Sequence, residues 1–208
     1  MRSYSNFSVH DLLDAFASTS PAPGGGSAAA LTGGVGVSLL LMAIGVRASR
    51  PGGSPEAIEL ADAADRLRSQ RATIASLVDR DAEAYSMVIA ALRMPAEDEE
   101  SKVRRRTAIE SAMRAATEAP LETMRACRRA LRDTSVVAAH AIPNTRSDVG
   151  VAVELLAAAV RAAGITVDAN LASLKDTEYV ALVRVERQQL DADSAADAEH
   201  ARSRLEGR

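Results

Sequence analysis

Aromatic side chains are nearly missing from this 208-residue chain, which has no Trp, three Tyr and two Phe. β-Sandwiches and barrels draw on aromatic and β-branched residues, and single-stranded nucleic acid is held by stacking on aromatic faces, so both readings lose their usual materials. A dominant charge is missing as well. The 25 basic and 28 acidic residues are interspersed and leave a net charge of −3, which provides no basic field and excludes nucleic acid as the expected partner. A single cysteine, Cys127, cannot form an internal disulfide, and three scattered histidines, His10, His140 and His200, suggest no metal centre. The opening MRSYSNFSVHDLL lacks the apolar core of a secretory leader, so a reducing cytoplasm is expected. There is no P-loop, no GxGxxG after a strand, no HExxH and no CxxC pair. Neither a metal nor a tightly bound cofactor is expected.

What is present is helical material. Ala, Leu, Arg, Asp and Glu dominate, which points to an all-α, single-domain antiparallel bundle over 1–208, with a core from about 9 to 176 and a charged last helix to 206. The bundle is organised around Ser20 to Arg47, SPAPGGGSAAALTGGVGVSLLLMAIGVR. Pro21 and Pro23 stop any preceding helix, and Gly24, Gly25 and Gly26 let backbone approach a ligand. Ser27 stands where an N-cap belongs. Gly26, Ala30, Gly34 and Ser38 then recur at four-residue spacing, giving the helix a face bare enough for another backbone to pack on. No charge occurs between Asp14 and Arg47, so a membrane span has to be weighed. The stretch is small rather than greasy from Gly24 to Gly36 and no second span is expected, so no membrane partner follows.

Along the chain, Ser8 caps a predicted helix from Val9 to Ser18, and Arg50 to Pro55 is a turn in which Ser54 caps a long helix to Arg93. Alternate steps of four and three along that helix trace Leu60, Ala64, Leu67, Arg71, Ile74, Val78, Asp81, Tyr85, Val88 and Leu92. Asp81 falls on this apolar stripe, where an unpaired carboxylate is costly unless it is paired, protonated or set in a cleft. A further helix follows Met94-Pro95, and Pro120 is expected to start another, from Leu121 to Ala141. Cys127 reads as a small helix residue. In PNTRSDVG, Ser147 is a candidate N-cap and Asp148 lies in the first turn of a helix from Val149 to Ala163, which Gly164 punctuates. The last helix runs from Asp176 to Glu206. The chemistry on offer is thus a glycine loop and two carboxylates, Asp81 and Asp148, which can divide general acid and base work if their surroundings push their pKa values apart.

The order PAPGGGSAAAL, DRDAEAY, Pro95 with RRRTAIESAMRAATEAPL, PNTRSDVGVA and NLASLKD resembles the cyclodeaminase/cyclohydrolase family, from about Val9 to Asp176. The resemblance implies an all-helical homodimer binding a tetrahydrofolate derivative in a cleft lined by the glycine loop and the Ser147–Asp148 loop. It implies hydrolysis of 5,10-methenyltetrahydrofolate to 10-formyltetrahydrofolate, or cyclodeamination of 5-formiminotetrahydrofolate. On this reading Asp81 and Asp148 are catalytic. Gly24, Gly25, Gly26 and Ser27 hold the ligand by main-chain donors, with Ser147 beside it, and Asn170 meets its pterin-like edge. The hydrolase is expected over the lyase because no formiminotransferase segment is attached. Three places differ from the family pattern: Ala96 follows Pro95 where many relatives have Lys, Thr166 stands where they have Asn, and Ala48 to Gly53 stands where they often have a basic, Tyr-containing segment. These substitutions leave open a different amidine-like substrate or a non-catalytic binding or scaffold protein.

Overall fold

The computed structural model describes residues 3–48 and 55–206, so the turn expected around Arg50 to Ser54 lies outside the described residues. The described chain contains six α-helices, two short 3₁₀ turns and no strand: α1 Val9–Ala17, α2 Gly25–Ala48, α3 Pro55–Leu92, α4 Glu99–Ala139, α5 Arg146–Leu171 and α6 Thr177–Glu206. The all-α bundle is as expected. α2 to α5 form the core and α6 packs on α4 and α5. Several starts follow from capping chemistry. Ser8 Oγ accepts the Asp11 N–H (3.1 Å) and starts α1, and Asp98 and Ser101 form a reciprocal capping box at α4. The Asp176 carboxylate accepts the Tyr179 N–H (3.0 Å) at α6.

α2 is buried along Gly26, Ala29, Ala30, Gly33, Gly36, Val37, Leu40 and Ile44. The bare stripe is therefore rotated from the expected one: Gly34 is half-buried and Ser38 is exposed, its hydroxyl bonded back to Gly34 O (2.8 Å). The glycines that matter for packing are Gly33 and Gly36. A Cβ on Gly33 would overlap Cys127 Sγ, and one on Gly36 would stand 3.0 Å from Leu156 Cγ and 3.2 Å from Ala152 O. Cys127 is fully buried and burial pushes its thiol up to about 12, so it is a packing residue. These contacts also fix direction. Gly25 faces Thr166, Gly33 faces Ala159 and Gly36 faces Ala152, so α2 and α5 run antiparallel. Two helical segments, Gly25–Ala48 and Pro143–Leu171, are long and apolar enough to cross a membrane, where the sequence offered one candidate and it was set aside, but about half of each is buried inside the fold. They are the central pair of the core.

Two expected helix breaks do not occur, each for a tertiary reason, and one helix starts earlier than expected. Pro120 lies inside a continuous α4. Its missing N–H orphans the carbonyl of Ala116, four residues earlier, and Asn170 Nδ2 from α5 donates to that carbonyl at 2.7 Å. Gly164 is buried inside a continuous α5 because the Arg187 guanidinium of α6 lies over it, 3.2 Å from where a Cβ would be. The glycine stretch is less a loop than the first turn of α2, which begins at Gly25. α6, the charged last helix, is bound to α4 by charge. Arg125 grips both oxygens of Glu186 (2.7 and 2.8 Å), Arg114 pairs with Asp176 and stacks 4.5 Å over the Tyr179 ring, and the Tyr179 hydroxyl donates to Glu118 (2.9 Å).

Candidate active site

The first turn of α2 meets α3 at one point. Ser27, fully buried in the third position of the helix rather than at its cap, turns its hydroxyl onto α3, 2.9 Å from Val78 O and 2.9 Å from Asp81 Oδ2. Asp81 can come this close only because position 26 is glycine. A Cβ there would stand 2.5 Å from Asp81 Cγ and 2.8 Å from Oδ2, inside van der Waals contact. The carboxyl therefore sits against the open N–H groups of a helix start, where the backbone dipole favours negative charge. Burial acts the other way and prevails. It pushes the Asp81 carboxyl above its ordinary value against the hydrogen bonds from the Ser27 hydroxyl and backbone. Both protonation states have partners. Ionised Asp81 accepts from Ser27, whereas protonated Asp81 donates to Ser27 Oγ, whose own hydroxyl hydrogen then bonds to Val78 O. A carboxyl poised in this way suits reversible proton transfer.

Gly24, Gly25, Gly26, Ser27 and Asp81 are thus brought together. Thr166 joins them, its Oγ1 3.7 Å from where a Cβ on Gly25 would be. Asn170 lies one turn further along α5, with one amide hydrogen committed to Ala116 O (2.7 Å). Ser147 and Asp148 are elsewhere. α5 starts at Arg146 behind Thr145, so Ser147 is an exposed first-turn residue instead of the expected cap, and Asp148 is half-exposed with no side-chain hydrogen bond or ion pair among the described residues. Asp148 and Thr166 are separated by about 27 Å along the straight run of α5, at 1.5 Å per residue. Because α2 and α5 are antiparallel, Asp148 is level with the last turns of α2 while Asp81 is level with its first. Within one chain they do not share a cleft.

Asp79 was not singled out from the sequence. Its carboxylate accepts from Ser3 Oγ (2.5 Å), the Tyr4 N–H (2.5 Å) and Ser5 Oγ (2.9 Å). The signal for it was the absence of any basic residue three or four positions away on α3, which leaves the charge to be met from outside the helix. Beside this turn an apolar groove of about 620 Å³ is lined by Phe7, Leu31, Gly34, Val35, Arg71 and Val78, among others. No cluster of metal-ligating side chains occurs among the described residues.

The profile of the formiminotransferase-cyclodeaminase family matches residues 8–189. A methenyltetrahydrofolate cyclohydrolase of Methylorubrum extorquens is 31% identical over 174 residues, 84% of each chain. The formimidoyltransferase-cyclodeaminase of Sus scrofa is 32% identical over 203 residues, which is 92% of this chain and 35% of that longer protein. The crystal structure of a formiminotetrahydrofolate cyclodeaminase from Thermotoga maritima superposes with a TM-score of 0.86, covering 97% of each chain at 20% identity. With the profile spanning most of its length, this chain belongs to the formiminotransferase-cyclodeaminase family.

Proposed function

We propose that the protein is a folate one-carbon enzyme that hydrolyses 5,10-methenyltetrahydrofolate to 10-formyltetrahydrofolate, with Asp81 as its acid and base. What favours hydrolysis over cyclodeamination is extent rather than identity: a cyclohydrolase aligns over 84% of both chains at 31% identity, whereas the 32%-identical cyclodeaminase relative holds the matching stretch as only 35% of its length. The site fits the chemistry. The substrate's methenyl carbon is cationic and amidine-like, and the ionised Asp81 carboxylate favours it electrostatically. As a water oxygen bonds to that carbon, Asp81 takes one of the water's protons. The same proton goes to N5 as the C–N5 bond breaks, and the hydroxyl proton of the tetrahedral intermediate leaves to solvent. One proton is released overall, which balances the loss of the cation. As helix-start groups without an intrahelical partner, the N–H groups of Gly25 and Gly26 can hold a substrate carbonyl, and Asn170 keeps an oxygen for the pterin edge.

The same reading includes a homodimer on the open face of α2, where Val35 and Met42 are 47% and 38% exposed. A two-fold axis across the middle of that helix would bring the Asp148 end of one copy to the Asp81 end of the other. Asp148 and Ser147 then enter the site only through the pair. A second reading, turnover of another cationic amidine-like compound, is favoured by the Thr166 hydroxyl beside Gly25. Purified protein is expected to accelerate the loss of the methenyltetrahydrofolate absorbance. Folded protein that leaves this rate at the buffer value while binding the compound would replace the enzyme with a binding protein.

A further inference from the structure

The amino-terminal segment closes a ring of contacts around the candidate site. Ser3, Tyr4 and Ser5 are all held by Asp79 of α3, through two hydroxyls and the Tyr4 N–H. The Tyr4 ring packs against the bundle core and tilts against Phe7, with centroids 5.3 Å apart. Its hydroxyl donates to Ala22 O at 3.1 Å, two residues before Gly24. Asp79 and Asp81 lie on one turn of α3 and point to opposite sides, since two residues turn the helix by about 200°. The stretch from Ala22 to Ser27 is therefore fastened at both ends to the same turn. Ser27 is held directly by Val78 O and Asp81, and Ala22 is held through Tyr4 and Asp79. Nothing else among the described contacts ties Ala22 or Pro23 by a hydrogen bond to α3.

We propose that Tyr4 and Asp79 are positioning residues: they brace the glycine turn so that its N–H groups and the Asp81 carboxyl keep the spacing the reaction needs. This rests on the reading of Asp81 as acid and base. Displacing reacting groups by about 1 Å costs rate far more than it costs binding, so a brace shows in kcat. Partial burial raises the Asp79 pKa, and the hydrogen bonds from Ser3, Ser5 and the backbone outweigh it and hold the carboxyl below its ordinary value, so the brace is closed at neutral pH.

The test uses the full chain and three substitutions. Tyr4→Phe removes only the hydroxyl that holds Ala22, and Asp79→Ala removes the acceptor of the whole segment. Asp79→Asn keeps an oxygen for the Tyr4 N–H and offers its amide to the Ser3 hydroxyl, so it should restore what Asp79→Ala loses. The measurements are kcat and KM for methenyltetrahydrofolate, together with hydrogen exchange of the amides in 20–28, which needs no turnover. Tyr4→Phe and Asp79→Ala should lower kcat about 10-fold with KM changed less than about two-fold, and should speed exchange in 20–28. Asp79→Asn should return both towards the wild type. Unchanged exchange in 20–28, or an unchanged kcat, overturns the proposal, and if Asp79→Ala does not fold, Tyr4→Phe decides alone. A wild type with no hydrolysis removes the reading of the reaction, and the exchange contrast then supports or overturns the brace by itself.

Discussion

The two ends of the α2–α5 pair each carry an aspartate beside the start of a core helix, yet the two carboxyls differ. Asp81 reaches from α3 onto the first turn of α2, where the missing side chain of Gly26 admits it, part-buried and hydrogen-bonded to Ser27. Asp148 lies in the first turn of its own helix, half-exposed and without a bonded partner among the described residues. Both lie near a helix dipole that favours the charge, so the dipole does not separate them. Burial does. A carboxyl becomes a useful acid near neutral pH when water is kept from it, and a single glycine on a neighbouring helix makes that possible.

The comparison is broken most severely by Gly26→Ala. The new Cβ forces the Asp81 carboxyl aside and so makes that end resemble the exposed one. Methenyltetrahydrofolate hydrolysis should fall about 100-fold, which steady-state kinetics would measure. Any gain in folded stability should stay within the roughly 1 kcal/mol that Ala gains over Gly in a helix. Next in size is Asn170→Ala, which leaves the buried Ala116 carbonyl without its donor. Denaturant unfolding should show a loss of about 1–3 kcal/mol. An increase in KM beyond that loss would mark Asn170 as a substrate contact as well, and an unchanged KM would leave it as the partner of Pro120's orphaned carbonyl. The smallest effect on the isolated fold is that of Asp148→Asn, about 0.3–1 kcal/mol from the lost helix-terminus interaction. If pairing brings Asp148 to the Asp81 end of the other copy, kcat should fall while the light-scattering mass remains that of a dimer.

Much of the bundle was legible because helical period and capping act locally. The α3 stripe buries Leu60, Ala64, Leu67, Ile74, Val78 and Val88 as its spacing requires, and Ser8 caps α1. Arg71, Tyr85 and Leu92 on the same stripe are exposed: Arg71 lines the open groove beside α2, and near the end of α3 it is Ala84, Val88 and Ala91 that pack against α4. What was not legible depends on partners distant in the chain. Pro120 breaks a helix unless a donor is supplied 50 residues later, as Asn170 supplies it. The rotation of the small face of α2 was set by where Cys127 and Leu156 pack. The same limit governs the site. Asp81 stood out as a charge on an apolar stripe, but its separation from Asp148 follows from the antiparallel packing of α2 and α5, which residue types do not encode.

The most direct test is the hydrolysis rate of Asp81→Asn, measured near neutral pH beside its unfolding midpoint. Because burial raises the folded-state pKa of Asp81, its ionised form costs stability above the ordinary carboxylate value, and that cost disappears as pH falls through the folded pKa. Asn at this position resembles the protonated acid and can donate to Ser27 Oγ, so the variant should be at least as stable as the wild type, with an advantage that shrinks on acidification. Its rate should fall about 100-fold or more. A variant that hydrolyses methenyltetrahydrofolate at the wild-type rate, or one whose lost rate only follows lost folded protein, would contradict the assignment of Asp81 as acid and base.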